Sequence, residues 1–482
     1  MDSQIWLPYL FYSLDLIIRI GLSLRILSRS MSVGVTFAWM TIVLAVPYLG
    51  AFLYLLIGEN RLGERRLLRA RAVIEQSHQW QKTLCKQAAL TTTTIPQQYT
   101  TLDLQARNVI GYPTLPGNEL QLLTDYETVF RSLIKDIKDA QSSCLLEFYI
   151  LEEGGLVDDV LQAISDTGKR GIKINILLDS VGSKGFLKSH TCKNMRDAGI
   201  GITEALHVNA ARMLFQRVDI RNHRKIAVID NRVAYTGSQN LVDPRFFKQG
   251  AGVGEWVDIM MRMEGPAVSV LHNVATMDWS VEAGKVASFS DKTISMQAAG
   301  DIPVQVIPSG PVFRVGAIHQ LLMGIIYTAR HELVITTPYF APDDALTEAL
   351  VAAANRGVKV TLVIPARVDS RLIRYATPAL LESLITAGIK VAKFDGGLLH
   401  TKSITVDDSF CVAGSVNMDM RSLWLNFEIS LFVYHPGFCK QLRELQQLYI
   451  KQSTYVDPIQ FHKRSKTQRL AASIMRLFAP VL

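Results

Sequence analysis

Two stretches of this chain are spelled alike: His223-Arg224-Lys225-Ile226-Ala227-Val228-Ile229-Asp230 and His400-Thr401-Lys402-Ser403-Ile404-Thr405-Val406-Asp407. Both read H-x-K-x4-D. His and Lys two residues apart on a strand project from one face, and the apolar run after them seats that strand in a sheet. Each aspartate arrives at the strand's end, before a turn at Asn231-Arg232 or Asp408-Ser409. Gly-Ser-x-Asn then follows in both copies, as Gly237-Ser238-Gln239-Asn240 and Gly414-Ser415-Val416-Asn417, and a carboxylate comes later, Glu255 in GEWVDI and Glu428 in NFEISL. Chance places one H-x-K-x4-D in a chain of this size about 0.02 times. Two copies with matching tails therefore mark a duplication.

The duplication extends outward from the motifs. LLEFYI (145–150) and ELVITTPYF (332–340) read as buried strands. RGIKINILL (170–178) and RGVKVTLVI (356–364) each read as a helix C-cap followed at once by a strand, and DAGIGI (197–202) and TAGIKV (386–391) repeat that pattern. The spacing between copies is far too long for a solenoid, so one fold is used twice. The fold class expected is α/β: two lobes, each a mixed β-sheet flanked by helices, related by a pseudo-twofold axis, with a seam near Gly300-Asp301. Four segments follow: an N-terminal membrane hairpin (1–60), a basic juxtamembrane helix and linker (61–110), a first lobe (111–300) and a second lobe (301–482).

The hairpin is read from hydropathy. Ser30 to Gly58 is uncharged and long enough to cross a hydrocarbon core of ~30 Å, with Pro47 as a kink. Ile5 to Leu24 is apolar except for Asp15 and Arg19, which share a helical stripe with Tyr12 and Ser23 and can pair at i, i+4. Arg61, Arg65, Arg66, Arg69 and Arg71 crowd just after the long run and the short loop before it offers Arg25 and Arg29, which places the bulk of the chain in the cytoplasm. Across 482 residues, 51 Lys plus Arg face 43 Asp plus Glu, a net charge of +8 that suits an anionic membrane surface. With 49% hydrophobic residues the chain is no disordered or low-complexity segment. Lys463, Arg464, Lys466 and Arg469, with Leu470, Ile474, Leu477 and Phe478, form a basic amphipathic tail. The five cysteines are odd in number and form no C-x-x-C pair, which argues against a disulfide framework or zinc site and for a reducing compartment.

With these motifs in hand, the sequence resembles the phospholipase D superfamily and, within it, the bacterial cardiolipin synthases. The resemblance covers nearly the whole chain. It includes the N-terminal apolar segments, the TTPYFAPD strand, EWVDIMMRMEGPAV, the HTKSITVDD–GSVN–MRSLWLNFE run (400–428) and R-S-x4-N-x-E at Arg421, Ser422, Asn426 and Glu428. It implies a multi-pass enzyme of a bacterial inner membrane with cytoplasmic catalytic domains. That enzyme would join two phosphatidylglycerol molecules into cardiolipin and glycerol through a phosphohistidine. No cofactor, metal or nucleic acid is implied, and a homo-oligomer is left open.

The chemistry fits these residue types. A phosphodiester is an anion with a poor leaving group, so its cleavage needs a nucleophile, a proton donor and positive charge around phosphorus. His223, Lys225, Asp230, His400, Lys402 and Asp407 are the candidate catalytic residues. Asn240, Asn417, Ser238 and Ser415 are candidates to bind the phosphate. The resemblance assigns Glu255 and Glu428 to orient the histidines, gives the two aspartates a supporting place, and favours His223 as nucleophile and His400 as acid and base. The residues alone leave those two roles interchangeable. A phospholipase D hydrolase of phospholipids would use the same residues, and an H-x-K-x4-D nuclease would bind nucleic acid with a steep salt dependence.

Overall fold

The computed structural model describes residues 3–29, 31, 33–59, 62–207, 217–285 and 293–476. It divides into two compact units: residues 1–67 with 208–220, and residues 68–207 with 221–482. Of the residues singled out above, Ser30, Arg61, Leu477 and Phe478 lie outside the described residues.

The smaller unit is helical. Ser3–Leu27 packs on Val33–Ala45, and the chain continues through Pro47–Leu53 into a π-helical turn, Tyr54–Gly58. The uncharged run is thus broken where a single span was expected. Val46 leaves the helical region (φ −134°, ψ 73°) and Pro47, which has no N–H to donate to the preceding turn, begins a new helix. Thirteen residues of helix rise only about 20 Å, and no helix among the described residues is long and apolar enough to cross a membrane. Glu59 is buried at 4% exposure, held by Arg25 (2.6 Å), Arg29 (3.1 Å) and the Tyr54 hydroxyl (2.8 Å). Apolar side chains face outward along these helices, among them Leu10, Phe11, Ile17, Leu24, Phe37, Leu49 and Phe52.

The larger unit holds both motifs in one fifteen-stranded sheet. Across the first lobe the strand order is Gly201–Ala205, Lys173–Asp179, Ser143–Phe148, Ile226–Ile229, Val233–Gly237, Met260–Glu264, Leu115–Leu123. The second lobe begins at Ile302–Ser309 and runs Glu428–Val433, Phe410–Gly414, Ser403–Val406, Glu332–Thr336, Lys359–Pro365, Lys390–Phe394, with Ser453–Tyr455 added at the edge. This is the first order reversed, as a twofold axis requires, and the two halves join through the antiparallel pair Leu115–Leu123 and Ile302–Ser309. In each lobe the three outer strands are parallel and joined by helices, and the rest are antiparallel.

Local chemistry repeats with the topology. Asp125 and Asp343 cap their helices by accepting the N–H of Thr128 and Leu346. The Arg-Gly pairs end helices as their spelling implies, with Gly171 at φ +84° and Gly357 at φ +88°. Both arginines then reach back to close the preceding helix, Arg170 on the Ala140 carbonyl (3.1 Å) and Arg356 on that of Ile326 (3.0 Å). One apolar core runs beneath the sheet from Val228 and Met263 to Val406 and Ile429, so the lobes fold as a single body.

Candidate active site

Each H-x-K segment enters its strand immediately after a short crossing between lobes. Asn222 bridges to Phe427, and Leu398-Leu399 pairs in parallel with Trp256-Val257. The His223 N–H donates to the Phe427 carbonyl (2.9 Å) and the His400 N–H to the Val257 carbonyl (2.8 Å). The residue after each acceptor is a carboxylate, so each histidine ring meets an acid from the opposite lobe. His223 Nδ1 lies 3.0 Å from Glu428 Oε2, and His400 Nδ1 lies 2.8 Å from Asp258 Oδ1.

Glu428 therefore stands where the sequence put it, and Glu255 does not. Glu255 is exposed and joins the crossing through its backbone carbonyl, which accepts the Leu398 N–H (2.8 Å). The acid on His400 is Asp258, three residues on, and the sequence did hold a signal for it. Asp258-Ile259 and Glu428-Ile429 both open the strand beside Gly-Ser-x-Asn, each with isoleucine after the acid.

The serines bond the acids, and neither is among the residues lining the cavity on which the histidines open. Ser415 Oγ donates to Glu428 and accepts the Ile429 N–H (2.9 Å); Ser238 Oγ bonds Asp258 and accepts the Ile259 N–H (3.0 Å). Both are fully buried. The preceding glycines are required there, because a Cβ on Gly237 or Gly414 would collide with the carbonyl of Ile259 or Ile429.

The motif aspartates lie at the other end of the four-residue strands Ile226–Ile229 and Ser403–Val406, in the turns that follow. Asp230 (φ +53°) accepts the N–H groups of Gln141, Ser142 and Ser143, and Asp407 (φ +48°) accepts those of Arg330, His331 and Glu332. In each lobe the carboxylate ties the tight turn to the start of the neighbouring strand.

Both histidines open on one cavity of about 390 Å³. Its lining also includes Asn240, Asn417, Tyr149, Trp256, Arg221 and Arg421. Asn240 Oδ1 accepts the Ile150 N–H (3.2 Å) and its buried Nδ2 has no partner among the described residues, as expected of an amide kept for an oxyanion. Lys225 and Lys402 are buried behind the rings with each Nζ on the carbonyl of its own histidine. At the rim, Lys248 from the first lobe meets Asp369 from the second (3.3 Å), and Asp369 also accepts the Tyr339 hydroxyl (2.7 Å).

Burial sets the protonation states. It pushes both imidazoles down to about 4 against the pull of their acids, so both rest neutral near pH 7. With Nδ1 bonded to a carboxylate, the Nε2 lone pair is left for chemistry. Burial also lowers Lys225 to about 8 and Lys402 to about 7. It acts to raise Asp258 and Glu428, yet both end below the usual range: His400 and Lys402 hold Asp258 at about 2, and His223 and Lys225 hold Glu428 down.

A duplicated α/β sheet that delivers two carboxylate-braced H-x-K strands to one cavity defines a phosphodiester-processing enzyme of the phospholipase D type. The family description "Cardiolipin synthase, PLD-like domain" matches residues 133–250 and 322–449, one stretch in each lobe, and "Phospholipase_D-nuclease N-terminal" matches residues 17–59. Cardiolipin synthase A of Yersinia pseudotuberculosis serotype IB (strain PB1/+) is 41% identical over 472 residues, 96% of this chain and 96% of that one. Cardiolipin synthase A of Yersinia pestis matches at the same identity and coverage. Among solved structures, phosphatidylserine synthase of Haemophilus influenzae Rd KW20 aligns with a TM-score of 0.56 over 79% of this chain and 98% of that one; at 13% identity this is a likeness of fold. The chain belongs to the cardiolipin synthase family of the phospholipase D superfamily.

Proposed function

We propose that the protein is a membrane-anchored phosphatidyltransferase that condenses two phosphatidylglycerol molecules into cardiolipin and glycerol. The observation that carries this reading is the pair of histidines, each braced by the other lobe's carboxylate, opening on one cavity. Neutral His223 attacks phosphorus through Nε2. The N–P bond forms as the P–O bond to glycerol breaks, and His400, charged once the anionic substrate has raised its basicity, gives the leaving oxygen its proton. His400 then takes the proton of the acceptor hydroxyl, whose oxygen displaces His223 from phosphorus. Lys225 and Lys402 supply positive charge behind the rings, and Asn240 and Asn417 line the space where the phosphoryl oxygens sit.

The outward apolar side chains of the N-terminal helices support anchorage, with this unit seated as a hairpin in a bacterial inner membrane and the catalytic lobes on its cytoplasmic face. The assay is purified enzyme in mixed micelles with phosphatidylglycerol alone. Cardiolipin and glycerol in equal amounts are expected, with His223→Ala or His400→Ala each at least about 10³-fold slower, since neither ring replaces the other. Phosphatidic acid as the main product would make the enzyme a hydrolase, and appreciable turnover by one histidine variant would refute the shared site.

A further inference from the structure

The lobes match in backbone, yet the cavity they share is lopsided. Two residues before each motif histidine stand Arg221 and Leu398; Arg421 follows Asp419 by two residues as Arg245 follows Asp243, but Arg245 turns onto Asp243 (2.6 Å) and does not line the cavity. A symmetric site would carry such cations at both ends or at neither. Here Arg221 and Arg421 both line the cavity and both belong to the His223 end. Asn426 fastens them together: its side-chain oxygen accepts the Arg221 N–H (3.2 Å) and its own N–H donates to the Arg421 carbonyl (2.8 Å). Both guanidiniums act on the Tyr149 hydroxyl, whose ring centroid is 5.0 Å from that of His223. At the His400 end stand Trp256, at 4.3 Å between ring centroids, and Tyr339, at 6.4 Å; the cation lining the cavity there, Lys248, lies 5.4 Å from the Trp256 ring and is paired with Asp369 (3.3 Å).

We propose that Arg221 and Arg421 form a second anion subsite, which receives the phosphate of the acceptor lipid while the donor phosphorus sits between the histidines. The inference rests on the phosphatidyl-transfer reading above and concerns its stoichiometry. A donor phosphodiester carries one negative charge, and Lys225 and Lys402 already supply positive charge behind the rings. Two further cations at one end are surplus for a donor meeting water or a simple alcohol. They suit an acceptor that brings its own phosphate, one glycerol length from the reacting phosphorus. Carboxylates stand nearby, Asp179 at 3.7 Å from Arg221 and Asp419 beside Arg421. A guanidinium has five N–H donors in a planar fork, so it can face a carboxylate on one edge and a phosphate on another.

The test compares two soluble radiolabelled acceptors, glycerophosphoglycerol and glycerol, with unlabelled phosphatidylglycerol as donor and full-length enzyme in micelles; transfer to glycerol regenerates phosphatidylglycerol, so label entering lipid is the readout for both. The wild type is expected to favour the phosphate-bearing acceptor in kcat/KM by about tenfold or more, the size of a charge-assisted hydrogen bond to phosphate. Arg221→Gln and Arg421→Gln should each shrink that preference, chiefly by raising KM for glycerophosphoglycerol. Arg421→Lys, which keeps the charge, should recover part of it and guards against misfolding of the glutamine variants. An unchanged preference in these variants, or an equal loss with both acceptors, would overturn the subsite. Phosphatidic acid as the sole wild-type product would overturn the transfer reading, and the subsite with it.

Discussion

Between histidine and lysine of the motif, the first lobe has Arg224 and the second has Thr401, and the interiors beneath them differ accordingly. Arg224 is wholly buried between the rings of Phe313 and Phe427. It donates to the Glu428 carbonyl (2.9 Å) and the Ser309 carbonyl (3.0 Å), and it pairs with Asp278. Asp278 in turn bonds Glu147, which burial and that neighbouring acid push well above the usual range. Thr401 bonds only neutral groups, the Val257 carbonyl (3.1 Å) and the Tyr449 hydroxyl (3.2 Å). One lobe thus braces its histidine over a buried ionic network and the other over hydroxyls. The twofold repeat holds at the imidazole–carboxylate pairs and relaxes one layer below them.

The comparison breaks most visibly at those pairs. Asp258→Asn and Glu428→Gln remove the same support from the two lobes, and each is expected to lower kcat by about 10²–10⁴-fold, as loss of an imidazole-orienting acid does elsewhere. Glu255→Gln should stay within about twofold of wild type, as an exposed side chain with no site contact does. Cardiolipin formation rates read all three.

Below the rings the lobes should part. Arg224→Met strands Asp278 inside the protein and is expected to cost about 3–5 kcal/mol, while Thr401→Val removes hydroxyl bonds worth about 1 kcal/mol. Thermal unfolding midpoints of the two variants measure this contrast, and equal shifts would erase it.

The finest contrast lies in pH. A lysine serves the anion only while protonated, that is, below its folded pKa, and Lys402 (about 7) loses its charge before Lys225 (about 8) as pH rises. kcat/KM, which reports the free enzyme, should fall more steeply above about pH 7, where Lys402 loses its charge, than below it. In Lys402→Arg the cation persists, so the residual activity should hold until Lys225 titrates, moving the fall upward by about one pH unit.

Much of this molecule is written in its chain, because duplication turns weak local signals into paired ones. The two H-x-K strands, the Arg-Gly helix ends and the strand runs at 145–150 and 332–340 all appear twice in the same order, and the sheet follows that order. Asp258 was obscured by loop length. Asn417 and Glu428 are separated by a short helix, whereas Asn240 and Asp258 are separated by the longer segment carrying Asp243 to Gly254, so the spacing in one copy does not carry over to the other. Asp230 and Asp407 travel with the catalytic letters, but strand geometry carries them to the far end of the sheet. Ser30 to Gly58 has the composition of a single span, and one imino ring at Pro47 interrupts it. Arg221 has Leu398 as its counterpart, and Arg421 repeats Arg245 in spelling but not in place, since Arg245 does not line the cavity; only the folded chain shows that difference.

The crossed bracing of the histidines bears on how such a chain arose. Each half lends its acid to the other's ring, so a gene for a single half would have worked only as a matched pair of molecules, identical by necessity. Tandem fusion made the reciprocal loan permanent and removed the demand for sameness. From then on one end could collect arginines and the other tryptophan and tyrosine, and an enzyme descended from twins could tell two nearly identical lipids apart by the seat each one takes.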